Sequence, residues 1–213
     1  MKKNIAFFTF LLGFCFSSSA VTNGKEITAP LGLKWGMTKN EIIEKTGGIK
    51  EIGFRDGIKQ FLVNNKDNKV DGLELYSIGI DKKYGLTSVE MMFYIDNDSN
   101  GNKAVEKYNV LKEVLVSKYG EQYSDEYLWR NYNKGSMSFA ACIGNEQCGK
   151  YFSSFEDDIG GNTGLMLTTD SSGENANVFL LYKSPAIKKI KEEAKASSES
   201  EVQKKAQALS DSL

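Results

Sequence analysis

The 213-residue sequence contains no histidine. A serine or cysteine nucleophile activated by an imidazole base therefore cannot be built from it, and neither can a zinc site with imidazole ligands. These absences exclude a large share of secreted hydrolases, and no other catalytic set is recognisable. We therefore expect a protein that is not an enzyme and has no catalytic residues.

Long hydrophobic runs are missing too, except for one at the start of the chain. Met1-Lys2-Lys3 precedes an apolar run from Ile5 to Phe16 and then Ser18-Ser19-Ala20, which is the order of a signal peptide. The run is shorter than the roughly 20 residues that span a bilayer. We predict a signal peptide over residues 1–20, cleaved after Ala20, no transmembrane segment after its removal, and an exported protein, either periplasmic or secreted.

Neither sign of charge dominates, since 27 basic residues face 28 acidic ones. Cleavage would remove Lys2 and Lys3 and leave 25 basic against 28 acidic residues, a net charge of −3. The lysines are interleaved with acidic residues, whereas nucleic-acid binding requires a clustered basic face. We therefore expect no nucleic-acid partner. The remaining chain of about 190 residues can bury an ordinary core.

Cysteine is scarce, with three residues. Cys15 falls within the predicted signal peptide, and the bulky Phe14 before it is untypical of a lipid-attachment site. Cys142 and Cys148 remain, and an even number in an exported chain predicts a disulfide. A redox pair or a zinc site are the alternatives, although redox cysteines are usually two residues apart. So short a loop would contribute about 2 kcal/mol on the chain-entropy model.

A well-marked helix start lies near the beginning of the predicted mature chain. Thr38 and Glu41 have the spacing of a capping box, and Met37 and Ile42 that of a hydrophobic staple. Gly47-Gly48 supplies a left-handed stop after Thr46. We therefore predict a short helix from Thr38 to Thr46.

Trp35 and Gly36 immediately precede this helix. Gly36 suits a tight turn, and Trp35 is interpreted as a core residue whose indole N–H needs a hydrogen-bond partner. A ligand-stacking role is the alternative for Trp35. The structural residues predicted for this segment are Trp35, Gly36, Met37, Thr38 and Glu41.

Most of the remaining chain alternates between apolar and polar residues, which indicates strands. Val89, Met91, Phe93 and Ile95 should share one buried face of their strand. The predicted strands are Ile49–Phe54, Ile58–Val63, Leu73–Ile80, Thr87–Ile95, Glu126–Tyr132, Gly135–Ile143, Tyr151–Phe155, Gly164–Thr169 and Asn177–Lys183. The last strand is apolar on both faces, which indicates a position inside a sheet.

A long central helix is predicted from Lys103 to Tyr119, because Ala104, Tyr108, Leu111, Leu115 and Tyr119 form one apolar stripe. The fold class is therefore α+β, with a short N-terminal helix and a long central helix packed on antiparallel sheet. Residues 21–186 would form this domain, and the pattern also allows two tandem helix-plus-sheet modules, residues 31–98 and 99–186. Residues 187–213 would be a charged helical or disordered tail, either a solvated and partly frayed helix or a helix that binds a partner.

Asp96-Asn97-Asp98-Ser99-Asn100-Gly101 matches the first half of a calcium-binding loop, with oxygen ligands at alternate positions before a glycine. Lys107 occupies the position where a bidentate glutamate belongs. A polar turn before the helix, with Asn102 as N-cap, explains the same residues. Calcium is the only cofactor that the sequence suggests. Its candidate ligands are Asp96, Asp98 and Asn100.

Glu156-Asp157-Asp158 is the densest acidic cluster in the chain. Because it stands beside Gly160-Gly161, we interpret it as a solvated turn. Paired catalytic carboxylates are the alternative, and they would have to converge in space.

Gly36-Met37-Thr38-Lys39-Asn40-Glu41-Ile42 resembles the opening of the small outer-membrane assembly lipoproteins and the β-lactamase inhibitor proteins. More loosely, Leu33-Lys34-Trp35-Gly36-Met37-Thr38, with the later Lys118-Tyr119-Gly120 and Trp129, is similar to a set of exported bacterial proteins. The resemblance implies helix-plus-antiparallel-sheet modules in tandem. The second helix lacks the Gly-Met-Thr opening.

Together these patterns predict a non-enzymatic exported protein that acts through a protein or an envelope component, on its sheet face or its C-terminal tail. The alternative is a small-ligand or calcium-dependent binding protein with its site near Asp96–Gly101.

Overall fold

A computed structural model describes residues 25–64, 70–120, 123–129, 137–170 and 172–212. The predicted signal peptide and Cys15 lie outside these residues. The helices are α1 (Lys39–Thr46), α2 (Asn102–Tyr119), α3 (Phe139–Ile143) and α4 (Ala186–Ser210). The strands are β1 (Ile49–Arg55), β2 (Ile58–Val63), β3 (Leu73–Asp81), β4 (Gly85–Tyr94), β5 (Tyr123–Leu128), β6 (Gly149–Glu156), β7 (Asn162–Thr169) and β8 (Ala176–Lys183). The predicted α+β class is confirmed.

All eight strands form one antiparallel sheet in the order β1-β2-β3-β4-β8-β7-β6-β5. Strands β1 to β4 are a meander and β5 to β8 are another, and each meander follows a helix, α1 or α2. The two meanders meet where β4 pairs with β8, with Met91 opposite Leu180. The order is therefore mirrored about this pairing, and β8 lies inside the sheet as its two apolar faces predicted. The division into domains stays a prediction.

One face of the sheet, here called the core face, is covered by helices. Val89, Met91 and Phe93 of β4 are 0%, 4% and 1% exposed, as the alternation predicted. The α2 stripe packs over β6, β7 and β8, and Tyr108 on it is fully buried. Ile42 of α1 and the residues of α3 join the same core. Within the described residues, no helix is both long and apolar enough to cross a membrane.

Helix α1 starts as predicted. The Thr38 side chain accepts a hydrogen bond from the Glu41 N–H, and the Glu41 carboxylate accepts one from the Thr38 N–H at 2.7 Å. Just before it, the Gly36 N–H donates to the Leu86 carbonyl at 3.0 Å, and the Leu86 N–H donates to the Met37 carbonyl at 2.9 Å. A Cβ at Gly85 would lie 2.3 Å from the Gly36 carbonyl oxygen, so the approach requires glycine.

Trp35 is partly buried against the core, and its indole finds the partner that it needed. The Trp35 Nε1–H donates to the Ile27 carbonyl at 2.7 Å, while the Ile27 N–H donates to Asp157 Oδ2 at 2.7 Å. Ile27 is 1% exposed. Its backbone is therefore held between a tryptophan before the first meander and an aspartate in the second.

The prediction of a strand over Gly135–Ile143 is wrong for residues 137–143, which are the part of it that the structure describes. Phe139–Ile143 is helix α3, because Ser138 caps it by accepting a hydrogen bond from the Ala141 N–H at 3.1 Å. The apolar residues of this segment alternate in the sequence, which suggested a strand. In the structure they form one turn of helix, and Phe139 and Ile143 on it both reach the core. Strand β5 is also shifted, to Tyr123–Leu128, and residues 130–132 of the predicted strand lie outside the described residues.

The C-terminal segment is one continuous helix, α4, of 25 residues. The described part of the tail is therefore helical rather than disordered, and whether it binds a partner stays a prediction.

Candidate binding face

The predicted disulfide is present between Cys142 and Cys148, with sulfur atoms 1.98 Å apart. Both residues are buried. The bond joins the end of α3 to the residue before β6, and it therefore holds the short helix against the sheet.

The candidate calcium ligands surround the start of α2. Asp98 is buried, and its two carboxylate oxygens accept hydrogen bonds from the Lys103 N–H at 3.1 Å and the Ala104 N–H at 2.8 Å. Asn100 Oδ1 accepts from the Asn102 N–H at 3.2 Å. Asp98 is therefore the side chain that caps α2, and the prediction of Asn102 as N-cap is wrong because Gly101 holds that backbone position.

Asp96 is exposed and contributes its backbone carbonyl, which accepts from Lys103 Nζ at 3.2 Å. Among the residues that the structure describes, no group of three or more histidine, cysteine, aspartate or glutamate side chains is placed to hold a metal ion. Calcium binding at Asp96, Asp98 and Asn100 stays a prediction.

The acidic cluster separates into one buried and two exposed residues. Asp157 accepts hydrogen bonds from the N–H groups of Ile159 and Gly161 at 3.1 and 2.6 Å, in addition to that of Ile27. Glu156 and Asp158 are exposed. The interpretation as a solvated turn is therefore wrong for Asp157, because its carboxylate is occupied in fixing the turn and the N-terminal segment.

A polar cluster joins α2 to β5 and β6. The Tyr108 hydroxyl donates to Glu126 Oε1 at 2.8 Å and lies 2.7 Å from Ser153 Oγ, and Lys112 Nζ donates to the same carboxylate at 2.6 Å. Burial raises the pKa of Tyr108. Burial also acts to raise the pKa of Glu126, but hydrogen bonds from Lys112 and Tyr108 outweigh it, so that pKa is lowered. These groups bind each other and fix α2 on the sheet.

The opposite face of the sheet, here called the open face, carries a row of apolar side chains. Its members lie directly opposite one another on the adjacent strands β3, β4, β8, β7 and β6, and all are half-buried. We call this row the apolar band: Leu75, Met92, Phe179, Met166 and Phe152. Helices α1, α2 and α3 all pack in the core on the other face, and the described part of the chain lays no helix across the band.

A polar cavity adjoins the apolar band where α4 begins. Glu90 is 6% exposed, pairs with the Arg55 guanidinium, and accepts a hydrogen bond from the Ser77 hydroxyl at 3.4 Å. Gln60 donates to the Ile58 carbonyl at 3.2 Å, whereas its Oε1 is buried without a partner in the described structure. The cavity has a volume of about 90 Å³. That is room for about three waters, so it suits solvent better than an organic ligand.

The first turns of α4 lie over this cavity through Ile187 and Ile190, which are half-buried. The next turn is fixed at Glu193, whose carboxylate accepts hydrogen bonds from Lys83 Nζ at 2.6 Å and from the Tyr84 hydroxyl at 2.7 Å. Every residue from 191 to 212 is exposed. We call residues 191–212 the arm, because they extend beyond the sheet.

Part of this site was indicated by the sequence. Strand β8 was predicted to be apolar on both faces, and Phe179 on its second face lies in the middle of the apolar band. The other four members of the band were not predicted to lie on a candidate site, because each stands in a strand whose other face was the obvious core face. They are Leu75, Met92, Met166 and Phe152.

Comparison of the chain with protein-family models, curated proteins and solved structures finds no match. The resemblance to outer-membrane assembly lipoproteins and β-lactamase inhibitor proteins therefore stays a prediction that rests on residues 36–42. The function is inferred instead from the chemistry of the open face.

Proposed function

We propose that the protein is an exported, non-enzymatic interaction protein that binds a helix of another polypeptide on the open face of its sheet. The observation that carries the proposal is the apolar band, which crosses five adjacent strands. An apolar row on a sheet face is stabilised when another layer buries it. The helices of the described chain supply a layer on the core face, so a partner would supply the second.

The composition of the band suits a partner helix. Two of its five side chains are methionines, Met92 and Met166, which adapt their shape to the surface that they meet. At the far edge of the open face, Lys150 Nζ donates to Asp125 Oδ2 at 2.7 Å. An apolar centre with charged groups at its rim is the usual composition of a protein interface.

Two observations support the non-enzymatic part of the proposal. The chain has no histidine. Its buried or hydrogen-bonded carboxylates at Asp98, Asp157 and Glu126 are each engaged in holding a helix or a turn. Export rests on the predicted signal peptide, and the Cys142–Cys148 disulfide is typical of an oxidising compartment.

The proposal can be tested by site-specific photo-crosslinking in cells that produce the full chain. A photoreactive phenylalanine analogue would replace Met92 or Phe179 on the open face, and Val114 on the exposed side of α2 as the matched control. Val114 is 56% exposed and lies on the other side of the sheet. We expect light-dependent adducts with a polypeptide at Met92 and Phe179 only. Adducts at neither open-face position, or equal adducts at Val114, would overturn the proposal.

A further inference from the structure

We infer that the helix bound by the open face is the arm of a second copy of this chain. The inference rests on the proposed function and identifies its partner. Each chain has two complementary surfaces, and it cannot bring its own two surfaces into contact.

The first surface is the apolar stripe of the arm. Ala194, Val202, Ala206 and Leu209 recur at helical spacing, and Val202 and Leu209 are 64% and 61% exposed. No residue of α4 is buried within the described structure. Helices in water draw most of their stability from packing one face, so this helix requires a surface to lie on.

The second surface is the apolar band, which the arm of the same chain does not reach. The sequence from Ala186 to Ser210 contains no glycine or proline, so α4 has no residue at which to turn back. The contacts of Glu193 with Lys83 and Tyr84 fix its direction at the turn between β3 and β4. A second copy has no such constraint and can place its arm on this face.

The dimensions of the two surfaces agree. The stripe from Ala194 to Leu209 is about 22 Å long at 1.5 Å per residue. Five strands at a spacing of about 4.8 Å place the ends of the band about 19 Å apart. With a helix about 11 Å wide, two exchanged arms would bury about 1,000 Å² in total, near the lower end for a specific interface.

The charges of the two surfaces are also compatible. The arm contains four lysines and five acidic residues, a net charge of −1. Glu199 and Glu201 flank its stripe on opposite sides, at 100° per residue. The open face carries both signs by strand register, with Lys50 and Lys183 as well as Glu90 and Asp125, so it offers basic groups to these carboxylates without a net charge of either sign dominating.

The inference can be tested by measuring the mass of the purified exported chain by light scattering over a range of concentrations. We expect a dimer in the wild type. The arm variant Val202→Glu/Leu209→Glu and the face variant Met92→Glu/Phe179→Glu should each raise the dissociation constant at least tenfold. Val110→Glu/Val114→Glu, at exposed positions of α2, is the matched control and should stay dimeric. Circular dichroism would identify any variant that fails to fold.

Mixing the two disrupted variants gives a further test. The arm variant keeps an intact face and the face variant keeps an intact arm, so the mixture can form one arm-to-face contact. We expect heterodimers in the mixture at concentrations at which neither variant dimerises alone. A wild type that is monomeric at every concentration, or an arm variant that dimerises like the wild type, would overturn the inference. Photo-crosslinked adducts with a different polypeptide would then leave the proposed function standing.

Discussion

The core face and the open face belong to the same strands, and neighbouring residues can be compared directly. In β4, Phe93 is 1% exposed beneath the helices, whereas Met92 beside it is half-buried on the open face. In β8, Val178 and Phe179 differ in the same way. Both faces carry a row of apolar side chains, so the presence of such a row does not separate them.

What separates the two faces is the cover that each receives. The core face is closed by α1, α2, α3 and the segment around Ile27, and these are fixed by specific polar contacts such as those of Asp157 and Glu126. In the part of the chain that the structure describes, the open face is covered only by the first turns of α4, at its polar end. An apolar row that the described helices leave uncovered supports the proposed binding of another polypeptide there.

The largest expected difference between the faces is in the free energy of unfolding that is lost when a phenylalanine is replaced by alanine. Phe93→Ala should lower the free energy of unfolding by about 3–5 kcal/mol, because it leaves a cavity in a closed core. Phe179→Ala should cost about 1 kcal/mol, because solvent already reaches the site. Urea denaturation at low protein concentration measures both. Equal losses would show that the open face is as closed as the core face.

A smaller effect on stability is expected from removing the side chain that caps α2, one of the helices that cover the core face. Asp98→Ala removes both carboxylate oxygens that cap α2 and should cost about 1–2 kcal/mol. Asp96→Ala is the control, since its exposed side chain should matter little to stability. Thermal melts with and without millimolar calcium should give the same loss of stability for Asp98→Ala. A calcium-dependent rise in the wild-type midpoint that both variants abolish would instead establish the predicted calcium site.

The smallest effect is expected from the contacts that hold α2 to the sheet through Glu126. Its folded-state pKa lies below the ordinary value of 4.5. The contribution of Glu126 to stability is therefore complete above pH 4.5 and is lost as the pH falls through the lower folded-state pKa. Glu126→Gln should lower the melting temperature at neutral pH, and the difference from wild type should shrink on acidification. Glu113→Gln, at an exposed position of α2, is the matched control and should leave the melting temperature at neutral pH unchanged.

The elements governed by short-range patterns could be predicted from the sequence. The alternation of Val89, Met91 and Phe93 identified the core face of β4, and the spacing of Thr38 and Glu41 identified the start of α1. The disulfide followed from the number of cysteines and the predicted compartment. In each case the deciding residues stand within a few positions of each other.

Features that depend on distant residues could not be predicted. The Asp157 carboxylate binds the Ile27 N–H across 130 positions, so its acidic cluster looked like an ordinary solvated turn. Phe139 and Ile143 alternate with polar or small residues as a strand would, but Ser138 and the disulfide favour one turn of helix. The open face was missed because a sequence shows that both sides of β8 are apolar without showing which one is covered.

The mirrored strand order has a consequence for synthesis. Strand β8 is the last of the described strands to be made, yet it stands in the middle of the sheet, between β4 and β7. The edge of β4 that β8 occupies therefore stays unpaired until β8 itself has been made. A premature stop before Ala176 would remove the junction of the two meanders rather than an outer strand, and would leave two apolar half-sheets with exposed edges. Such edges invite aggregation, so shortened products of this gene should accumulate as insoluble protein.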